Sequence, residues 1–327
     1  MKDKPGPRAV GELLGTLKGV PRPLKPRRTV KPLQQRLLDY AEVEAGAEPT
    51  EILYQHSVLC QTCLPYRDPG DDVRLWARRN GFVKLEVQAD RAYDGRVDDF
   101  TDVGLPFGPK PRLVMYHLNA EALRTQSPVL ELEDSLTAFV KRTLGLDAGG
   151  RNIRIVKEQL TRLSASDFRI GTSQEDRSLT LKGSVIDGFE LWTPRDSKQR
   201  VLWPSTVQFS GRYFESLMKH AVPLNEAAVA RLSHNAMALD VYTWLAQRLH
   251  RVDAEKGGVL VTWPGLKEHF GHGYERLVDF RRVFRRTLQQ VKVVYPDAKF
   301  EVDERGMVLR HSRPPVGKRL LPISRGD

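Results

Sequence analysis

Five arginines crowd into residues 276–286: Arg276, Arg281, Arg282, Arg285 and Arg286, against one acid, Asp279. Guanidinium groups are planar, permanently charged donors that match phosphate oxygens and the O6/N7 edge of guanine. Like charges this dense repel one another unless a polyanion neutralises them. Gln289, just downstream, carries an amide suited to an adenine edge. A second basic stretch holds Arg151, Arg154, Lys157 and Arg162 with Glu158 among them. Glu158 repels phosphate, so this stretch is the weaker contact or a backbone anchor. Isolated cations, Lys182 in one expected hairpin and Lys299, Arg305 and Arg310 in another, are candidates for backbone or minor-groove contact. For all of these the alternative is an ordinary solvated face. The chemistry they point to is the binding of a polyanion.

Bond-making chemistry has much less to stand on. His56, Cys60 and Cys63 offer three zinc ligands where a structural site wants four, and no second C-x-x-C occurs. Two small buried apolar residues are the alternative reading of that pair. His269 and His272 lie three apart without carboxylate or cysteine partners, which suits packing or surface roles. There is no G-x-x-x-x-G-K-[ST] phosphate loop and no His-x-His of the kind metal-dependent nicking uses. The GPKP at 108–111 has two prolines, which remove backbone donors, and reads as a rigid linker. The expectation is a protein that is not an enzyme and has no cofactor or metal.

The formal charge of +11, with 52 basic against 41 acidic residues, also favours a polyanionic partner. Residues 1–31 carry nine Lys/Arg against Asp3 and Glu12, and read as a disordered basic tail. With 40% apolar residues the remainder can bury a core. No apolar run approaches the roughly 18 residues of a membrane span. The N-terminus lacks the apolar stretch of a secretory signal. Two cysteines make no disulfide framework. A cytoplasmic protein with no membrane partner is expected.

The basic stretches need elements to hold them. At 100° per residue, Leu277, Phe280, Phe284, Leu288 and Val291 form one stripe of a helix over 274–294; Arg282, Arg285, Arg286 and Gln289 fall away from it, Arg281 lies on the flank nearer the stripe, and Asp279 sits at the far edge. Ile153, Val156, Leu160 and Leu163 do the same for a helix over 151–165, with Arg151, Arg154, Lys157, Glu158 and Arg162 opposite. Each basic helix stands at the same place in a repeated order. The first copy reads helix 113–124, strand 129–133, helix 134–145 with Asp134 as N-cap, basic helix 151–165, and strands 168–171 and 178–183. The second reads helix 236–250, strand 258–263, helix 264–271, basic helix 274–294, and a hairpin over 299–311. Strands at 189–192 and 201–210 and a helix near 212–219 lie between them. This is the winged helix-turn-helix order, twice.

The predicted fold is therefore α+β, with two tandem winged helix-turn-helix modules and a disordered basic N-terminal tail. The predicted domains are the tail with a short helix at 1–50, an N-terminal extension at 51–104 packing on the first module, the first module with its connecting strands at 105–210, the second module as main DNA reader at 211–313, and a C-terminal tail at 314–327. A fragment of about 205–327 is expected to retain weaker site recognition, and one of about 1–200 to bind DNA poorly yet self-associate.

Four stretches, VGLPFGPKPRLVMYHLNAEALRTQSP (103–128), DSLTAFVKRTLGLDAGGRNIRIVKEQLTRLSAS (134–166), RVLWPSTVQFSGRYFESLMKHAVPL (200–224) and ALDVYTWLAQRLHRV (238–252), resemble the RepA-type plasmid replication initiators. The resemblance runs over roughly 50–315. It implies a double winged-helix initiator that binds repeated duplex DNA sites (iterons) at a plasmid origin. It implies opening of adjacent AT-rich DNA, recruitment of the host initiator ATPase and replicative helicase, self-association as monomer and dimer, and autorepression. It places the main DNA contact on Arg281, Arg282, Arg285 and Arg286. A transcriptional repressor without a replication role is the alternative, and a nicking enzyme or primase a more distant one.

Overall fold

The alternation Val83, Leu85, Val87, Ala89 turns one face of a strand inward, and that strand lies at the centre of the largest sheet. In the computed structural model, which describes residues 52–95, 97–131, 136–174, 177–189 and 206–316, all described residues fall within one compact unit, Val43–Asp327. The expectations for the tail at 1–50, the N-cap Asp134 and residues 317–327 lie outside the described residues.

The extension supplies β1 (Ile52–His56), β2 (Leu75–Asn80), β3 (Val83–Ala89) and the hairpin β4 (Arg91–Asp94)–β5 (Asp99–Asp102). Next come α1 (Pro109–Thr125), β6 (Val129–Glu131), and a short turn α2 (Leu136–Ala138) that runs into a π-helical turn, Phe139–Thr143. The first basic helix is α3 (Gly150–Ser164), followed by β7 (Ser166–Gln174), β8 (Arg177–Ser184), β9 (Ile186–Phe189) and β10 (Thr206–Phe209). The chain continues through α4 (Gly211–His220), β11 (Ala221–Asn225), α5 (Glu226–Leu232), α6 (Ala236–Arg248), β12 (Val259–Thr262), α7 (Trp263–Phe270), α8 (Leu277–Val294), β13 (Phe300–Val302) and β14 (Gly306–Leu309).

The sequence reads 108–111 as a linker, but the first helix, α1, begins inside it. Proline's fixed φ suits a first helical turn, where no N–H is needed, so Pro109 opens the helix and Pro111 is buried in it. Gly108 makes the turn before it, with φ of 74°.

The antiparallel sheets join distant parts of the chain. The largest runs β2-β3-β7-β8, with Leu85 opposite Ile170 and Val87 opposite Phe168. The extension thus pairs with the hairpin that follows α3. It also pairs with the C-terminal half, because β1 lies against β11 with Leu53 opposite Leu224. β6 belongs to a different sheet from that hairpin, ordered β6-β10-β9. A third sheet, β12-β14-β13, is made entirely of strands around α7 and α8.

Arg112 of α1 and Asp240 of α6 form a two-pronged ion pair at 2.6 and 2.7 Å, with relative exposures of only 2% and 6%. The remaining Arg112 donors go to the carbonyls of Gly108 (2.6 Å), Leu64 (2.8 Å) and Pro65 (3.4 Å), so the pair ties the extension, α1 and α6 together. Among the described residues no helix is long and apolar enough to cross a membrane.

Candidate nucleic-acid interface

The helix carrying most of the arginines is built as its stripe predicts. Phe280, Phe284, Leu288 and Val291 are buried, and Leu277 at the first turn is half-buried. Phe280 and Phe284 meet the fully buried Trp263, with centroids 6.4 and 6.2 Å away, and Phe270 closes the cluster 5.4 Å from Phe284. This aromatic core fixes α8 against α7. The helix begins at Leu277, three residues later than the spacing suggests. Gly271, His272 and Gly273 form the corner between α7 and α8, and Gly273 takes φ of 81° there.

On the outer face Arg282, Arg285, Arg286 and Gln289 are exposed. Arg286 and Gln289 have no partner among the described residues. Asp279 lies between Arg282 at 3.2 Å and Arg276 at 3.6 Å; Arg276 occupies the N-cap position. Such exposed pairs are worth little and yield readily to a stronger anion. Arg281 and Arg285 lie over the Trp263 ring at 5.2 and 5.4 Å, and Arg281 is half-buried there, with its Nε unsatisfied. Arg281 thus turns toward the core side of the row.

The hairpin β13–β14 is fastened to this helix through its turn. The carbonyl of Asp303 accepts from Trp263 Nε1 at 3.0 Å and from Arg285 Nη2 at 3.4 Å. The Asp303 carboxylate accepts from the backbone N–H groups of Gly306 (3.0 Å) and Arg305 (2.8 Å), which hold its pKa below the usual range. The exposed Arg305 side chain folds onto the same carboxylate at 3.2 Å. Arg310 pairs with Glu301 across the hairpin at 3.0 Å and donates to the Gly257 carbonyl at 2.9 Å, whereas the Lys299 side chain is exposed. The structure therefore gathers Arg276, Arg282, Arg285, Arg286, Gln289 and Arg305 around one helix and one hairpin turn.

The other basic stretch is divided. Arg151 and Arg154 are exposed at the start of α3, Lys157 is half-buried, and Lys182 is exposed on β8. Arg162 is a correction to the outward face predicted for it. It is 8% exposed, bonded to Glu158 at 2.9 Å and to the Leu105 carbonyl at 3.1 Å, and approached by Asp68 and Asp71 at 3.7 Å. Periodicity placed it opposite the stripe correctly. The loop bearing Asp68 and Asp71 then covers that side of the helix, and no local spacing could reveal it.

The histidines and cysteines do not converge. His56 Nε2 bonds Ser216 Oγ at 2.9 Å, while the buried Cys63 thiol donates to the His269 carbonyl at 3.2 Å. Burial pushes the Cys63 thiol up to about 12. Among the described residues no group of three or more His, Cys, Asp or Glu could hold a metal. Sequence reasoning passed over two basic residues close to α8, Lys267 of α7 and Arg78 of β2. Both line a cleft at the α7–α8 corner. Arg78 could not have been found by spacing, because the cleft residues it joins, from Pro264 to Leu277, lie nearly two hundred residues downstream.

Over residues 105–264 the chain matches the family described as plasmid encoded RepA protein. The match stops at Pro264, ahead of α8. No curated protein matches the chain. Among solved structures it is similar to domains 2 and 3 of RctB. A crystal structure of their selenomethionine derivatives gives a TM-score of 0.46 at 10% identity, covering 77% of this chain and 95% of that one. A second crystal structure of the same domains gives 0.45 at 10% identity, covering 77% and 94%.

Proposed function

We propose that this chain, which matches the plasmid encoded RepA family over residues 105–264, is a plasmid replication initiator that binds repeated duplex sites at its origin. In this reading α8 enters the major groove. The observation that carries it is the exposed row of Arg282, Arg285, Arg286 and Gln289 on a helix whose opposite face is locked into an aromatic core. Bidentate arginines read guanine edges, and the glutamine suits adenine.

The order α6, β12, α7, α8, β13, β14, with the sheet ordered β12-β14-β13, supports reading 211–313 as a winged helix-turn-helix module. The hairpin is then the wing, held at a fixed angle to α8 by the shared Asp303 carbonyl, and Arg305 at its turn meets the backbone. Residues 105–210 form a first, modified module. Its wing hairpin β7–β8 is absorbed into the extension's sheet, and Arg151, Arg154 and Lys157 give a secondary contact. The protein works by binding and not by catalysis, in the cytoplasm. Self-association, origin opening, recruitment of the host initiator ATPase and replicative helicase, and autorepression complete the proposal.

The test is a minimal plasmid carrying this gene and its flanking DNA. The intact chain should maintain it, and R282A/R286A should lose it while the protein stays folded. A chain that only silences its own promoter and never maintains the plasmid would be a repressor. Maintenance by the double variant at the normal copy number would remove α8 from the mechanism.

A further inference from the structure

The corner between α7 and α8 forms one wall of a cleft of about 650 Å³, and β2 of the extension forms another. Arg78 enters it from β2; Lys267, Glu268, His272 and Tyr274 line it from α7 and the corner. The guanidinium of Arg78 lies 3.9 Å over the Trp76 ring, and Trp76 meets His272 edge-on at 4.4 Å. This stack holds the arginine at the mouth of the corner.

Arg78 is a half-buried cation without a counter-charge. Among the described residues no carboxylate pairs with it, and its buried Nε has no acceptor. Burial lowers the Arg78 pKa, and the groups beside it, the Cys63 thiol and the Tyr66 phenol, are ones whose own pKa values burial raises, so they bring no counter-charge. A desolvated charge left unpaired is costly, and the usual remedy is an opposite charge. Lys267 adds a second cation; its Nζ donates to the Glu275 carbonyl at 2.9 Å and keeps further protons to give. Glu268 is the acid on the rim and is exposed. Leu277, the first residue of α8, also lines the cleft, so anything bound there lies at the start of the arginine-bearing helix.

We propose that Arg78, assisted by Lys267, holds a backbone phosphate of the DNA duplex seated on α8. The N-terminal extension thereby becomes part of the DNA interface. A strand running past the start of α8 brings a phosphodiester to this corner, and one phosphate supplies the acceptor that Arg78 lacks. The inference rests on the DNA-binding reading of α8.

A phosphate contact is blind to sequence, so a random-sequence duplex serves as probe, titrated by fluorescence anisotropy across about 50–200 mM salt. Four full-length proteins are compared: wild type, R78M, R78K and R282A/R286A. Methionine keeps an apolar stem on Trp76 without the charge, lysine keeps the charge, and thermal unfolding of each checks the fold. R78M should lower the slope of log K against log salt by about one, and R78K should restore it. A slope for R78M equal to wild type, with R282A/R286A impaired, overturns this inference alone. Unimpaired binding by R282A/R286A overturns the reading of α8 on which it rests. Calorimetric titration with inorganic phosphate separates the sources. Saturable phosphate binding lost in R78M, with DNA binding unchanged, would make this a free-anion site and contradict the proposal.

Discussion

Gly306 stands where β14 crosses closest to β12. A Cβ there would overlap the Val261 carbonyl oxygen and lie 2.8 Å from Thr262 Cα, both backbone atoms that cannot move aside cheaply. Gly306→Ala should cost about 1–3 kcal/mol in urea denaturation and loosen the hairpin from α8; an unchanged midpoint would show that the strands have room. His56 and His269 make a different residue-scale prediction. Burial lowers their pKa values from 6.5 to about 4 and about 3, with His220 adding to the effect at His56 and Arg78 at His269. Both stay neutral when folded and take a proton when unfolded. Their contribution is complete above pH 6.5 and is lost as pH falls below it, by about 1.4 kcal/mol per unit per histidine until the folded pKa is reached. The thermal midpoint should fall between pH 6.5 and 5, where ordinary carboxylates remain ionised, and fall less steeply in H56Q. A flat midpoint would contradict it. At this scale the outward arginines were legible because a packed stripe and an exposed face follow from helical period alone. Arg162 was not, since the loop bearing Asp68 and Asp71 covers it.

At the scale of elements, the Arg112–Asp240 pair is where α1 and α6 are fastened. Removing one partner strands a buried charge, so D240A should cost about 3–5 kcal/mol by chemical denaturation, whereas R112M/D240L should recover most of the loss. If D240A were as stable as wild type, solvent would have to reach Arg112 on its own. Both basic helices, α6, and the β7–β8 and β13–β14 hairpins were legible from period and turn chemistry. β1 and β11 were not, because each is satisfied by a strand far away in sequence and β11 contains Pro223, tolerated at its edge opposite Tyr54. The hairpin β4–β5 escaped as well: Tyr93 and Phe100 are exposed on it, so no inward alternation marks it. The start of α1 was hidden by prolines that elsewhere signal a linker.

For the molecule as a whole, the extension joins the two halves of the chain. The extension packs on the first module as expected, through β3 against β7, and in addition β1 lies on β11, Trp76 meets His272, and Cys63 bonds the His269 backbone. A fragment of about 205–327 would expose the partner face of β11 and leave Asp240 without Arg112. It should lack a cooperative unfolding transition and elute as aggregate in gel filtration, in place of the weak site binding the sequence suggests. A well-folded fragment with a cooperative transition would contradict this. The charge and repeated order pointed to a polyanion-binding protein. How the extension reaches across to α8 depends on pairings between residues more than 160 positions apart, which composition and period do not encode.

DNA recognition by this protein centres on α8, and the most direct measurement of it is the equilibrium affinity of the full-length protein for duplex DNA from the region flanking its gene. Wild type and R282A/R286A are compared at several salt concentrations. Wild type should form a sequence-preferring complex. The double variant should lose ~1–3 kcal/mol for each arginine that contacts a base and show a salt slope lower by about one for each that contacts a phosphate. Equal affinity, equal footprint and equal salt slope in the two proteins would contradict this role of α8.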